Sequence, residues 1–165
     1  MTVDRSTSFI SELRKHQHWM HRALDLAKNA GDAGEIPVGA VVVDNTGTLI
    51  ATGENRRERD RDPTAHAEIL ALRRAGNILQ TWHLDRCTLY VTLEPCPMCA
   101  GSIVLSRLGC LVYGADDPKT GSIRTVLNLP DSPVSNHPLP VFGGILETEC
   151  RLLLQSWFEE KRKRN

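Results

Sequence analysis

No stretch of the chain approaches the ~18 consecutive apolar residues that a membrane-spanning helix needs, and Met1 to Ser8 lack the charged-then-apolar order of an export signal. The expected compartment is therefore the cytoplasm, and residues 1–8 are expected to be disordered. Surplus charge is missing as well. Twenty Lys+Arg match twenty Asp+Glu, so the basic footprint of a polyanion-binding domain is absent and any nucleic-acid contact must be local. There is no internal repeat and no low-complexity tract. Cysteines number only five, an odd count in a chain without an export signal, which points to metal binding or catalysis and away from a disulfide framework. What is present is an ordinary globular composition, 41% hydrophobic and 24% charged over 165 residues, enough for a single domain spanning 1–165.

Hydrophobic periodicity divides the chain into alternating helices and strands. Met20, Ala23, Leu24 and Ala27 form one helical stripe, stopped by Gly31 and Gly34. Val38 to Val43 is a β-branched run, Asp44-Asn45-Thr46-Gly47 a turn, and Thr48 to Thr52 a second run, together a hairpin. Arg56 to Asp62 reads as a charged loop, after which Asp62-Pro63 or Thr64 opens a helix through Ile69, Leu70, Leu72 and Ile78. Thr88 to Thr92 alternates at period two, Met98 to Leu108 is helical and Cys110 to Tyr113 is again strand-like, an order that implies a right-handed parallel βαβ unit. Prolines 130, 133, 138 and 140 make Leu127 to Pro140 a long loop. A last helix carries Leu146, Cys150, Leu153, Leu154 and Trp157, and residues 159–165 form its basic end. The sum is a three-layer α/β/α fold around a mixed sheet of four or five strands.

Two segments carry chemistry: Thr64-Ala-His-Ala-Glu68 and Glu94-Pro-Cys-Pro-Met-Cys99. Pro97 suits the first position of a helix, which puts the sulfurs of Cys96 and Cys99 in its first turn, where the dipole favours thiolates by about 0.3–1 kcal/mol. His66 and Glu68, two residues apart, cannot share a helix face, but at a helix start both reach past the open end. Two helix starts meeting there give His66, Cys96 and Cys99 as three ligands to one Zn2+, with a fourth position left for water, as catalytic zinc requires. Zinc lowers the pKa of that water to about 7, and Glu68 is then placed to carry its proton to a leaving group. Alone, Cys-x-x-Cys is equally a redox dithiol or half of a structural zinc site, and a lone helical His is usually packing. The joint pattern, with no second close Cys/His pair in the chain, favours the catalytic reading.

The combination His-x-Glu with Pro-Cys-x-x-Cys resembles the zinc nucleobase deaminases. Within that superfamily the chain is similar to the bacterial tRNA-specific adenosine deaminases. The resemblance is carried by Glu35-Ile-Pro-Val-Gly-Ala40, Asn55-Arg56, Asp62 to Glu68, Leu93 to Gly101, Ser106-Arg107, Gly114 to Gly121, Asn136-His137 and Gly144-Ile-Leu146, and extends from about His18 to Phe158. It implies a cytidine-deaminase-like fold and a zinc-dependent homodimer that converts the wobble adenosine of a tRNA anticodon loop to inosine. Zinc-held hydroxide attacks C6 and ammonia leaves. By motif position, His66, Cys96 and Cys99 correspond to zinc ligands and Glu68 to the proton shuttle. Val38, Asn55, Ala67, Leu93 and Pro95 match the base pocket, and Asp117, Lys119, Asn136 and His137 match contacts to neighbouring nucleotides. The chain departs from some relatives at Asp116, where a basic residue is expected, and at Ser122-Ile-Arg124.

The rival within the superfamily is a deaminase of a free base or nucleotide such as guanine, which shares the zinc motif. A noncatalytic zinc-binding partner subunit and a redox dithiol are further alternatives. Between Glu54 and Asp62 four arginines interleave with four acidic residues, a pattern that reads as a solvated loop, and Lys161 to Arg164 follows Glu159-Glu160 for a net of only +2. Recognition must then lean on loop shape, stacking and splayed bases, as single-stranded RNA recognition usually does.

Overall fold

The computed structural model describes residues 5–164. In chain order the elements are α1 (Arg5–Asp32), β1 (Gly39–Asp44), β2 (Leu49–Glu54), α2 (Arg57–Asp60), α3 (Ala67–Leu79), β3 (Cys87–Leu93), α4 (Pro97–Leu105), β4 (Cys110–Ala115), β5 (Val141–Phe142) and α5 (Glu147–Arg164). Of the segment expected to be disordered, residues 1–4 lie outside the described residues, whereas 5–8 open the first turns of α1.

Five strands form one mixed sheet in the order β2-β1-β3-β4-β5. β1 is antiparallel to both β2 and β3, while β4 runs parallel to β3 and β5 parallel to β4. The hairpin follows from its turn, where Asp44 Oδ1 accepts from the amides of Thr46 and Thr48, and Gly47 takes a positive φ. Successive β1 residues point to opposite faces, and both faces are covered. Ala40 and Val42 pack with Ala67, Ala71 and Ile103 of α3 and α4, whereas Val41 and Val43 pack with Met20, Ala23 and Cys150 of α1 and α5. This explains the unbroken apolar run from Ala40 to Val43 in β1. Leu89, Ile103 and Leu111 are among the largest fully buried side chains, each contributing about 1.5–3 kcal/mol by leaving water. The three layers expected from sequence are thus observed.

Several boundaries differ from the sequence reading. The charged loop contains the short helix α2, because the buried Glu35 carboxylate accepts from the Glu58 and Arg59 amides and caps it from a distant part of the chain. α3 starts at Ala67, later than Asp62 or Thr64, since Asp62 and Thr64 close an Asx turn on themselves. α4 ends at Leu105, and Arg107 then takes a positive φ.

Two contacts of this scaffold are testable. A Cβ at Gly53 of β2 would collide with the Ala67 carbonyl and lie 2.9 Å from the Ala71 amide, so only glycine lets α3 sit this close to the sheet. Gly53→Ala is expected to lower stability by about 1–3 kcal/mol in urea denaturation. On the opposite face His16 is buried, with its Nδ1 3.0 Å from the Tyr90 hydroxyl, and its Nε2 has no hydrogen-bond partner. Burial pushes its pKa below the ordinary value, only partly offset by the Glu12 carboxylate. The unfolded chain therefore binds the proton first, and stability is lost as pH falls through the ordinary histidine value toward the folded one. The urea midpoint of the wild type should drop between about pH 7.5 and about pH 5.5 more than that of His16→Gln.

Candidate active site

β3 ends at Leu93 and leads within four residues into α4, with Cys96 as its N-cap and Pro97 at its first position. The chain leaving β2 folds over α2 and enters α3 with His66 as N-cap. Neither cap uses its side chain to satisfy the helix amides, so His66 and Cys96 are free to face each other. His66 Nδ1 lies 3.6 Å from Cys96 Sγ and 3.5 Å from Cys99 Sγ, and all three donor atoms fall within 4.8 Å of one another. Tetrahedral zinc, about 2.3 Å from sulfur and about 2.0 Å from nitrogen, separates such atoms by about 3.6 Å. The donor set and its spacing therefore fit a single zinc ion. Among the described residues no fourth His, Cys, Asp or Glu joins the cluster.

The electrostatics match that use. The neighbouring Cys99 thiol lowers the Cys96 pKa to about 4, assisted by His66, while Cys96 and burial raise that of Cys99. Cys96 is thus a ready thiolate at the positive end of α4. The hydrogen bond to Cys96 raises the His66 pKa against its burial. Glu68, in the first turn of α3, is 4% exposed, and desolvation raises its carboxyl pKa well above the usual range.

Beside these donors is a cavity of about 190 Å³ lined by His66, Glu68 and Cys96 together with Val38, Asn55, Ala67, Leu93 and Asp117. Asn55 is 6% exposed and held from several sides: its amide donates to Val38 O, its Nδ2 to Ile36 O, and Arg59 Nη2 donates to its carbonyl. Its Oδ1 is a buried acceptor without a partner, left available to whatever enters the cavity.

The chain resembles known proteins along most of its length. Residues 14–139 match the family model of the MafB19-like deaminases. The tRNA-specific adenosine deaminase of Bacillus subtilis is 48% identical over 146 residues, which is 88% of this chain and 90% of that protein. A chain solved in work on A-to-I editing by tRNA:A34 deaminases at the wobble position of transfer RNA superposes with a TM-score of 0.80 at 42% identity, covering 83% of this chain and 99% of that one. The chain belongs to the tRNA-specific adenosine deaminase family. The guanine deaminase of Nitrosomonas europaea is more distant, with a TM-score of 0.73 and 29% identity over 86% of this chain and 83% of that one. The superfamily is zinc-dependent, in agreement with the donor cluster.

Within this deaminase the sequence-derived residues do not all converge. Cys99 completes the donor cluster behind the cavity wall. Pro95, Lys119, Asn136 and His137 do not line the cavity. Pro95 is buried beside it and Lys119 is exposed. The Asn136-His137 loop is tied to the α4–β4 junction, where His137 Nε2 lies 2.7 Å from Leu108 O and Arg107 donates to Asn136 O. Sequence reasoning missed Ile36, Arg57, Glu94 and Thr120, which line the cavity too. Of these, Arg57 makes no ion pair among the described residues, whereas its neighbours Arg56 and Arg59 are paired to Glu54, Asp60 and Glu35. The four-against-four charge count hid it, because only the fold shows which arginines are neutralised.

Replacing a donor should release the metal. Cys99→Ala is expected to weaken zinc binding by more than the roughly 10–100-fold that loss of an outer partner costs, and to lower the melting temperature, since metal binding is coupled to folding. Metal analysis after dialysis, with calorimetry, checks both.

Proposed function

We propose that this chain hydrolytically deaminates the wobble adenosine of a tRNA anticodon loop, giving inosine and ammonia. The observation that carries the reading is the single cavity in which a buried carboxylate, Glu68, stands beside the His66-Cys96-Cys99 donor set and an unpartnered acceptor, Asn55 Oδ1. The likeness to wobble deaminases, stronger than that to guanine deaminase, selects the substrate.

His66, Cys96 and Cys99 hold the zinc, which when bound supplies a Lewis acid that brings a water's pKa down to about 7. Val38 and Leu93 offer apolar walls to the adenine ring, and Pro95 backs the loop that carries Leu93 onward to Cys96. Asn55 presents its free Oδ1 to a donor on the substrate, with Nδ2 fixed on Ile36 O so that the amide cannot turn away. The first-turn amides of α3, Ala67 among them, have no side-chain cap and face the same space. Glu68 takes one proton from the attacking water and delivers it to N1 as the oxygen bonds to C6. It then takes the remaining proton of that oxygen and passes it to the amino group, which leaves C6 as ammonia while the C6–O bond becomes a carbonyl. Its burial suits that duty, because desolvation raises the carboxyl pKa and makes the carboxylate a stronger base toward the water proton. Only an unstacked base reaches such a narrow cavity, and an anticodon loop gives one up at lower cost than a duplex. Asp117 borders the cavity, and Lys119, Asn136 and His137 serve nucleotides beyond the reacting base. Arg57 offers its unpaired charge at the cavity wall to a phosphate.

The whole chain acts in this reading as one deaminase domain working in the cytoplasm as a homodimer. No described helix is long and apolar enough to cross a membrane. Trp82 and Leu105, 62% and 75% exposed, flank a groove between α3 and α4 where a second copy would bury them.

The test is incubation of the zinc-loaded chain with an unmodified adenosine-wobble tRNA and, in parallel, with guanine, adenosine and cytidine. Inosine at the wobble position alone is expected, and ammonia release only from a free base would contradict the proposal. Glu68→Ala should keep its zinc and lose about 10²–10⁴-fold in turnover.

A further inference from the structure

Glu94 takes no part in the chemistry above, yet its carboxylate is 1% exposed. Every donor it meets comes from the segment between Asp117 and Thr125. Oε1 accepts from the amides of Ile123, Arg124 and Thr125 at 3.1, 2.8 and 3.0 Å. Oε2 accepts from the Asp117 amide at 3.1 Å and from the Thr125 hydroxyl. Two backbone bonds run alongside, Glu94 N to Ala115 O and Ser122 N to Pro95 O. The loop wraps so closely that a Cβ at Gly121 would collide with Glu94 Oε2 and lie 2.6 Å from Asp117 O.

The two ends of this clasp have different duties. On one side the Glu94 backbone continues through Pro95 to Cys96, the N-cap of α4 and a metal donor. On the other, the gathered loop brings Asp117 and Thr120 to the cavity wall. Asp117 is itself fixed there by bonds from the Thr120 hydroxyl and from the amides of Lys119 and Thr120. We propose that Glu94 is a positioning residue that sets the Asp117–Thr120 wall at a fixed distance from the metal-donor loop and thereby governs how tightly the substrate is held. This rests on the deaminase reading and adds to it a residue that acts through Asp117.

Glu94→Gln tests it with little change in volume. A glutamine oxygen can keep the three amides of Ile123, Arg124 and Thr125, and its NH2 can donate to a turned Thr125 hydroxyl. The Asp117 amide alone then loses its acceptor and faces another donor. The KM for a wobble-adenosine stem-loop, and its Kd by fluorescence anisotropy, should rise about tenfold, in keeping with loss of one hydrogen bond to a charged acceptor. Turnover should stay within about twofold, because the reacting groups are untouched. Zinc per chain should not change. Gly121→Ala, which displaces the carboxylate without removing it, should give the same split and serves where Glu94→Gln fails to fold. Wild-type KM and Kd in a folded, zinc-loaded variant would overturn the proposal, as would loss of zinc or of turnover at unchanged KM. The wild type run alongside keeps the two readings apart: failure of the wild type to form inosine contradicts the deaminase reading, whatever the variants show.

Discussion

The positive ends of α3 and α4 point at one spot, and that convergence governs most of the rest. Two helix N-termini facing each other are mutually repulsive and leave first-turn amides without partners. What makes the arrangement stable is negative charge between them. Cys96 supplies it as a thiolate at the start of its own helix. His66 and Cys99 complete a donor set whose spacing suits zinc. The sheet enforces the meeting. β3 runs directly into α4, and the missing Cβ at Gly53 lets α3 lie against the sheet at its own first turn.

The loops that surround this centre are held by buried carboxylates rather than by apolar packing. Glu35 reaches the amides of Glu58 and Arg59, and Arg59 in turn holds the Asn55 carbonyl. Glu94 holds the Asp117 side of the cavity. For Glu94, burial pushes the carboxyl pKa up, but the bonds from Thr125 and the loop amides outweigh it and leave the pKa below the usual value. Charge-assisted bonds of this kind are directional, so they fix a wall more sharply than dispersion contacts do. A cavity meant to distinguish one base from another gains from that rigidity.

Much of this was legible in the sequence because it is local. The β-branched run at Val38 to Val43, the Asp44 to Gly47 turn and the strand-helix-strand order after Thr88 each report their own backbone, and each is found. The donor cluster was legible because Pro97 marks a helix start beside two cysteines. What the sequence hid is long-range. α2 depends on a carboxylate about twenty residues away, and the late start of α3 on a turn formed by Asp62 and Thr64. The same holds for the site. Arg57 and Thr120 join the cavity wall only once the fold is closed, and Asn136 and His137, adjacent to no other motif, are anchored on the α4–β4 junction away from it. β5, two residues long, is too short for periodicity to reveal.

Zinc-edge X-ray absorption on the purified, zinc-loaded chain tests the central claim, that two helix starts hold one ion through His66, Cys96 and Cys99 and leave a position for water. The account predicts two sulfur scatterers at about 2.3 Å and two nitrogen or oxygen scatterers near 2.0 Å, one of them an imidazole. A shell of four sulfurs, or a first shell with no sulfur at all, would contradict it.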